Sequence, residues 1–301
     1  MFASMLGTFL VIFLISLISF GIVAAIVATA SSDETVISKN TVLRITLSKP
    51  IVDRGSKMKF TMGFAGPDKN VGLNDILDNL KKAKKDDNIA GIYLDLSEIP
   101  TGISTLSEIR EALLDFKTSG KFIWAYSEVY SQKSYYLATV ADKIFLNPQG
   151  SLLFKGLASE VVFLKGTLEK LDIKMQVIRH GKFKAATEPL FLDKMSPENR
   201  KQITEYINGV WNEILTGISE TRKIGIPELN RIADSLKIQT AANALKYKFV
   251  DQLIYKDELI SEFKKKLNIG EKKNVEYVNM TSYTTVAEKK KPGLAGDKIA
   301  V

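Results

Sequence analysis

Cysteine is absent from the 301 residues, and histidine occurs once, at His180. The first absence excludes disulfides, thiolate metal sites and a cysteine nucleophile. The second excludes a multi-histidine metal centre and leaves a Ser-His-Asp arrangement one imidazole to use. A hydrolase built from this chain would take Lys, Asp or Glu as its general base, and we expect no cofactor. Proline is sparse at 8 residues, and no charged side chain precedes Asp33. What is present is an ordinary globular composition, 45% hydrophobic and 25% charged, enough for one large domain or two small ones.

The net charge of +8 invites a nucleic-acid reading. The lysines are spread along the chain and mixed with Asp and Glu, however. Their densest run, Glu288-Lys289-Lys290-Lys291, adjoins Pro292-Gly293 and reads as a solvated linker. We expect no nucleic-acid partner, and a basic surface near anionic lipid instead.

Residues 5–30, MLGTFLVIFLISLISFGIVAAIVATA, are long enough to cross a hydrocarbon core of about 30 Å as a helix. A cleaved signal peptide is the alternative, and Ala28-Thr29-Ala30 resembles a cleavage site. The run is too long for that reading and lacks a basic start, so an uncleaved anchor is expected. Lys39, Arg44, Lys49 and Arg54 all follow it. The positive-inside rule taken alone therefore places the main domain in the cytoplasm.

Beyond a linker at 31–40, a strand is expected over Thr41–Val52 and a loop through Asn70. A helix follows from Leu73, with Asn74 as its cap. Asn88–Leu96 reads as a strand covered on both faces. Leu106, Ile109, Leu113 and Phe116 mark a second helix, with Gly120 past its end. Strands at Phe122–Tyr126, Ile144–Leu146 and Met175–Ile178 are expected, with a helical stretch between the first two. Ser196-Pro197-Glu198 opens a long helix, and shorter ones fall near Pro227–Ser235 and Thr240–Lys246. The alternation implies an α/β fold with a largely parallel sheet. One domain over 41–285 is expected, then a linker at 286–296. The last residues, 297–301, read as the start of a truncated second domain.

Several strings together resemble the first half of the long form of signal peptide peptidase A, or protease IV. They are Asn88-Ile89-Ala90-Gly91-Ile92, Ser131-Gln132-Lys133-Ser134-Tyr135-Tyr136, Asn147-Pro148-Gln149-Gly150 and, most diagnostic, Gly181-Lys182-Phe183-Lys184-Ala185-Ala186-Thr187-Glu188-Pro189. The resemblance covers roughly residues 40–260. It implies a caseinolytic protease/crotonase-like spiral of ββα units behind one transmembrane helix, with the catalytic domain outside the cytoplasm. It also implies a ring-like homo-oligomer such as a tetramer, in the inner membrane and in contact with its lipid. The activity implied is that of a Ser-Lys endopeptidase degrading signal-peptide remnants and other membrane-proximal peptides.

The same resemblance assigns the general base to Lys184, beside Phe183 and Ala185-Ala186. A lysine serves only when burial lowers its usual pKa of about 10.4. Lys182, whose charge could help lower the pKa of Lys184, is expected instead to face solvent, and His180 to have a structural or surface role. The serine-bearing repeat of the family has Ser followed by two Gly, and here Gln132 stands at the nucleophile's position. A Gln amide cannot attack a carbonyl, and Ser131 and Ser134 are out of register. We therefore expect a lysine-bearing half that is inactive alone. A crotonase-type acyl-CoA enzyme and a non-catalytic membrane scaffold are the competing readings.

Overall fold

A computed structural model describes residues 2–30, 35–55 and 72–287. Six parallel strands form one sheet: β1 (Thr41–Ile45), β2 (Ile89–Asp95), β3 (Phe122–Tyr130), β4 (Lys143–Leu152), β5 (Gln252–Leu253) and β6 (Tyr277–Asn279). Their order is β5-β4-β3-β2-β1-β6. Helix α1 (Phe2–Ala30) precedes the sheet, and its window Met5–Ile22 has mean hydropathy 2.5 with no side chain buried. That helix is long and apolar enough to cross a membrane. The α/β class and the leading apolar helix are as expected, and the sheet is consistent with the family's spiral.

The strands alternate residues between two apolar layers, as the pleat requires. Ile92, Leu94, Ile123, Ala125, Ile144 and Leu146 join the larger core. That face is covered by α2 (Leu73–Lys85), α3 (Ile103–Lys117), α4 (Gln132–Ala138), α7 (Pro197–Arg222), α8 (Ile226–Asp234) and α9 (Ala241–Lys246). Tyr93, Phe122, Trp124 and Phe145 point the other way and pack on α10 (Lys256–Lys266). The Phe263 ring lies 4.9 Å from Trp124 and 5.2 Å from Tyr93. With α10 across this face, the chain passes from the β5 edge to β6 at the opposite edge. The short helix α11 (Met280–Thr284) follows.

Several boundaries differ from expectation. The first strand ends at Ile45 rather than Val52. Helix α2 begins at Leu73 behind Gly72, and the Asp75 carboxylate, not Asn74, accepts from the Gly72 N–H. Strand β4 does not close at Asn147-Pro148 but bulges there and pairs again at Ser151 and Leu152. A bulge is where a sheet tolerates proline, because no ladder donor is needed. Gly150 belongs to this bulge: a Cβ there would lie 2.3 Å from the Glu128 carbonyl. Met175–Ile178 forms no strand, since an apolar run becomes one only beside a ladder partner, and this segment has left the sheet. The expected start of a second domain at 297–301 lies outside the described residues.

One buried cation ties three helices together. Arg110 of α3 is 2% exposed. It donates to the Tyr136 carbonyl at 2.7 Å and Thr139 Oγ1 at 2.8 Å, at the end of α4. It also donates to the Gly217 carbonyl of α7 at 2.5 Å. Gly217 is required for this approach, because a Cβ would meet the Tyr136 ring at 2.6 Å. Burial lowers the Arg110 pKa. Arg110→Met keeps most of the volume but removes the donors, and should cost about 2–4 kcal/mol in urea denaturation with the m-value unchanged.

Candidate active site

Between β4 and α7 the chain makes a long excursion from the core. No residue from 155 to 187 is buried. The arm carries two short helices, α5 (Lys165–Lys170) within it and α6 (Glu188–Phe191) at its root. Apolar side chains face outward along it: Val162 is 74% exposed, Leu171 64% and Ile178 99%. Backbone and ion-pair contacts hold the arm: the Leu164 N–H donates to the Pro189 carbonyl at 2.7 Å, and Lys165 meets Asp193 at 2.8 Å.

Lys184 sits near the end of this arm, exposed, in a turn before α6. It lines an open cavity with His180, Phe183, Ala185, Ala186 and Gln202. Phe183 is 54% exposed, so the expected apolar wall is present but does not enclose the lysine within this chain. Lys182 and His180 are exposed, as expected.

The turn is anchored from below by Glu188, a residue whose role the sequence reading missed. Glu188 is 0% exposed. Its carboxylate accepts from Ser196 Oγ at 2.6 Å, the Ser196 N–H at 3.2 Å and Asn199 Nδ2 at 3.0 Å. All three lie at the start of α7, where Ser196 is the N-cap and the helix dipole favours an anion. Arg179 Nη1 lies 3.5 Å from Glu188 Oε1 and also donates to the Lys184 carbonyl at 3.2 Å. The guanidinium rests on the Phe191 ring, 5.0 Å from its centroid. Burial alone would raise the Glu188 carboxyl, but the donors from Ser196, Asn199 and Arg179 outweigh it and hold the pKa low. The spacing Glu188…Ser196…Asn199 was the only signal in the sequence, and nothing in it says that the three converge.

Position 132, which the resemblance matches to the nucleophile, is tied into the fold. Gln132 is the first residue of α4, behind the N-cap Ser131. Its Oε1 accepts from the Lys155 N–H at 2.7 Å and the Gly156 N–H at 2.9 Å. Its Nε2 donates to the Gly156 carbonyl at 2.9 Å. The carboxamide thus pairs with the strand exit as a peptide group would, and uses two backbone donors that could otherwise face an oxyanion. Ser131 and Ser134 are spent on the helix cap: Ser131 Oγ accepts from the Ser134 N–H at 3.2 Å. Gln132 borders a cavity with Ile103, Leu153, Leu157, Val210 and Ile214, separate from the one at Lys184. On α7, Gln202 lines one cavity and Tyr206 the other, one turn or roughly 6 Å along the helix. The structure does not bring positions 132 and 184 into one pocket.

The sequence model of peptidase family S49 matches residues 115–270, which include both Gln132 and Lys184. The chain belongs to this family. It is 39% identical over 190 residues to protease 4 of Salmonella typhi, covering 60% of this chain and 31% of that protein. It is 30% identical over 269 residues to the chloroplastic serine protease SPPA of Arabidopsis thaliana, covering 88% of this chain and 38% of that one. The putative signal peptide peptidase SppA of Enterococcus faecium is 22% identical over 246 residues, covering 81% and 69%. The chain spans about a third of the length of the first two. The resemblance to signal peptide peptidase A is borne out at the level of the family.

The lowered carboxyl of Glu188 gives a pH test with a definite sign. A depressed folded pKa adds stability above the ordinary glutamate range, and this is lost as pH falls through the folded value. Arg179 is the charged group paired with it. The difference in urea midpoint between the wild type and Glu188→Gln should be constant near neutrality and shrink on acidification below about pH 4.

Proposed function

We propose that the chain is the lysine-bearing part of a membrane-anchored Ser-Lys endopeptidase, with Lys184 as its general base. The observation that carries this reading is the Gly181–Pro189 segment. It lies inside the S49 match and projects Lys184 from an arm with no buried residue, on a turn fixed by Glu188. In the proposed reaction, a neutral Lys184 Nζ takes the proton of a serine hydroxyl as its oxygen attacks the peptide carbonyl. The resulting ammonium protonates the leaving amine, and the lysine then activates the water that hydrolyses the acyl-enzyme.

The serine comes from outside this repeat, because Gln132 fills the equivalent position and is bonded to 155–156. A lysine becomes such a base only when desolvated. Lys184 is exposed here, so the covering surface is a serine-bearing domain or subunit docked on the arm. The outward Val162, Leu171 and Ile178 suit such a contact. They also support the proposal that copies associate into a ring, a tetramer being one size. Helix α1 supports a single-pass membrane anchor; the inner membrane and the extracytoplasmic, periplasmic side of the domain rest on the resemblance, against the pattern of basic residues that follow the helix. Substrates are then signal-peptide remnants and other peptides released at the membrane.

The test compares variants in the protease assembled with its serine-bearing partner domain, using a fluorogenic peptide. Lys184→Ala should lower kcat about 10²–10⁴-fold while assembly is retained. Lys182→Ala should change it far less. Wild-type cleavage by Lys184→Ala at equal expression sinks the assignment and leaves the membrane scaffold as the better reading.

A further inference from the structure

We propose that Glu188 is a positioning residue for Lys184: seated on the first turn of α7, its carboxylate holds Arg179, and Arg179 holds the carbonyl of Lys184. The inference rests on the reading of Lys184 as general base and concerns how that base is kept in place.

The geometry forms a short relay with one fixed end. Helix α7 is bound into the core at Ile214, Leu215 and Ile218, and Arg110 grips its Gly217 carbonyl. Its other end leaves the core and presents the Ser196 N–H and hydroxyl and the Asn199 amide, all on Glu188. An unpaired buried carboxylate is costly, so this one stays only where its donors converge. The remaining donor, Arg179, comes from the arm. The same Arg179 nitrogen bonds the Lys184 carbonyl, and its flat group is backed by Phe191.

The contacts that Glu188 and Arg179 make here are polar, apart from the Phe191 ring under the guanidinium. They join three pieces of chain: the arm, the turn carrying Lys184, and the start of α7. The arm has no buried side chain to set its position by packing, so polar anchoring must do it. A reacting atom displaced by about 1 Å can lose on the order of 10²-fold in rate. Removing the anchor should therefore affect the chemical step more than substrate binding.

Two measurements test the link. In the assembled protease, Glu188→Gln should lower kcat roughly 30–100-fold with KM within about threefold, and Glu188→Asp should recover part of the loss. In the 301-residue chain, Glu188→Gln should speed amide hydrogen exchange at 179–187 by about tenfold, with β2 and β3 unchanged. Should Glu188→Gln not fold, Arg179→Ala interrupts the same relay at a partly exposed side chain and should give both effects. If Lys184→Ala is inactive while Glu188→Gln and Arg179→Ala keep wild-type kcat, the positioning role is overturned and the base survives. If Lys184→Ala is active, the base assignment falls. The exchange experiment then decides the relay alone, since unchanged exchange at 179–187 overturns it.

Discussion

The arrangement depends on Arg110 being buried and bonded to two helices at once. A guanidinium that enters a core must find acceptors, and this one finds them on α4 and α7 at once. It stacks on Tyr136, 4.8 Å from the ring centroid, while the Tyr136 hydroxyl donates to Glu213 of α7 at 2.8 Å. The result is a cross-tie between the helix that begins at Gln132 and the helix whose first turn holds Glu188. Helix α7 runs from Pro197 to Arg222, about 39 Å at 1.5 Å per residue. Fixing its far half in the core makes its first turn a firm support beyond the edge of that core.

How much of this was legible follows from which interactions are local. Strands β2 and β3 were readable because both faces of a central parallel strand are buried, leaving an unbroken apolar run. The helices facing the larger core showed their stripe, as at Leu106, Ile109, Leu113 and Phe116. Helix α10 went unread although Leu259 and Phe263 stand four apart, because the lysines around them dominate so short a segment. Strand β6 has three residues and is recognisable only from its neighbour β1. The run at 175–178 misled because apolar character signals burial by something, and that need not be this sheet.

The site divides in the same way. Lys184 carries no local signal that separates it from the other lysines, and its selection came from the family motif. Gln132 was legible as a residue that cannot attack a carbonyl. That its carboxamide would bond both N–H groups of 155–156 was not, since those residues lie beyond an intervening strand. Glu188 stood in plain view inside the motif, but its meaning depends on donors from Ser196 and Asn199, which only the fold brings beneath it.

On the proposed reading, these features separate two tasks that a self-contained dyad would combine. The chain around Gln132 is closed by that residue's own carboxamide, which satisfies the N–H groups of Lys155 and Gly156. Lys184 is carried outward on an arm with polar contacts at its root and with exposed apolar side chains, Val162, Leu171 and Ile178, among its exposed charges. A lysine acts as a base only in its neutral form, which desolvation favours. An arm that buries nothing in its own domain leaves that desolvation to whatever docks on it. Base strength would then be coupled to assembly: the surface that brings the serine would also exclude the water. Lys184 would gain its chemistry only where the nucleophile is already in place.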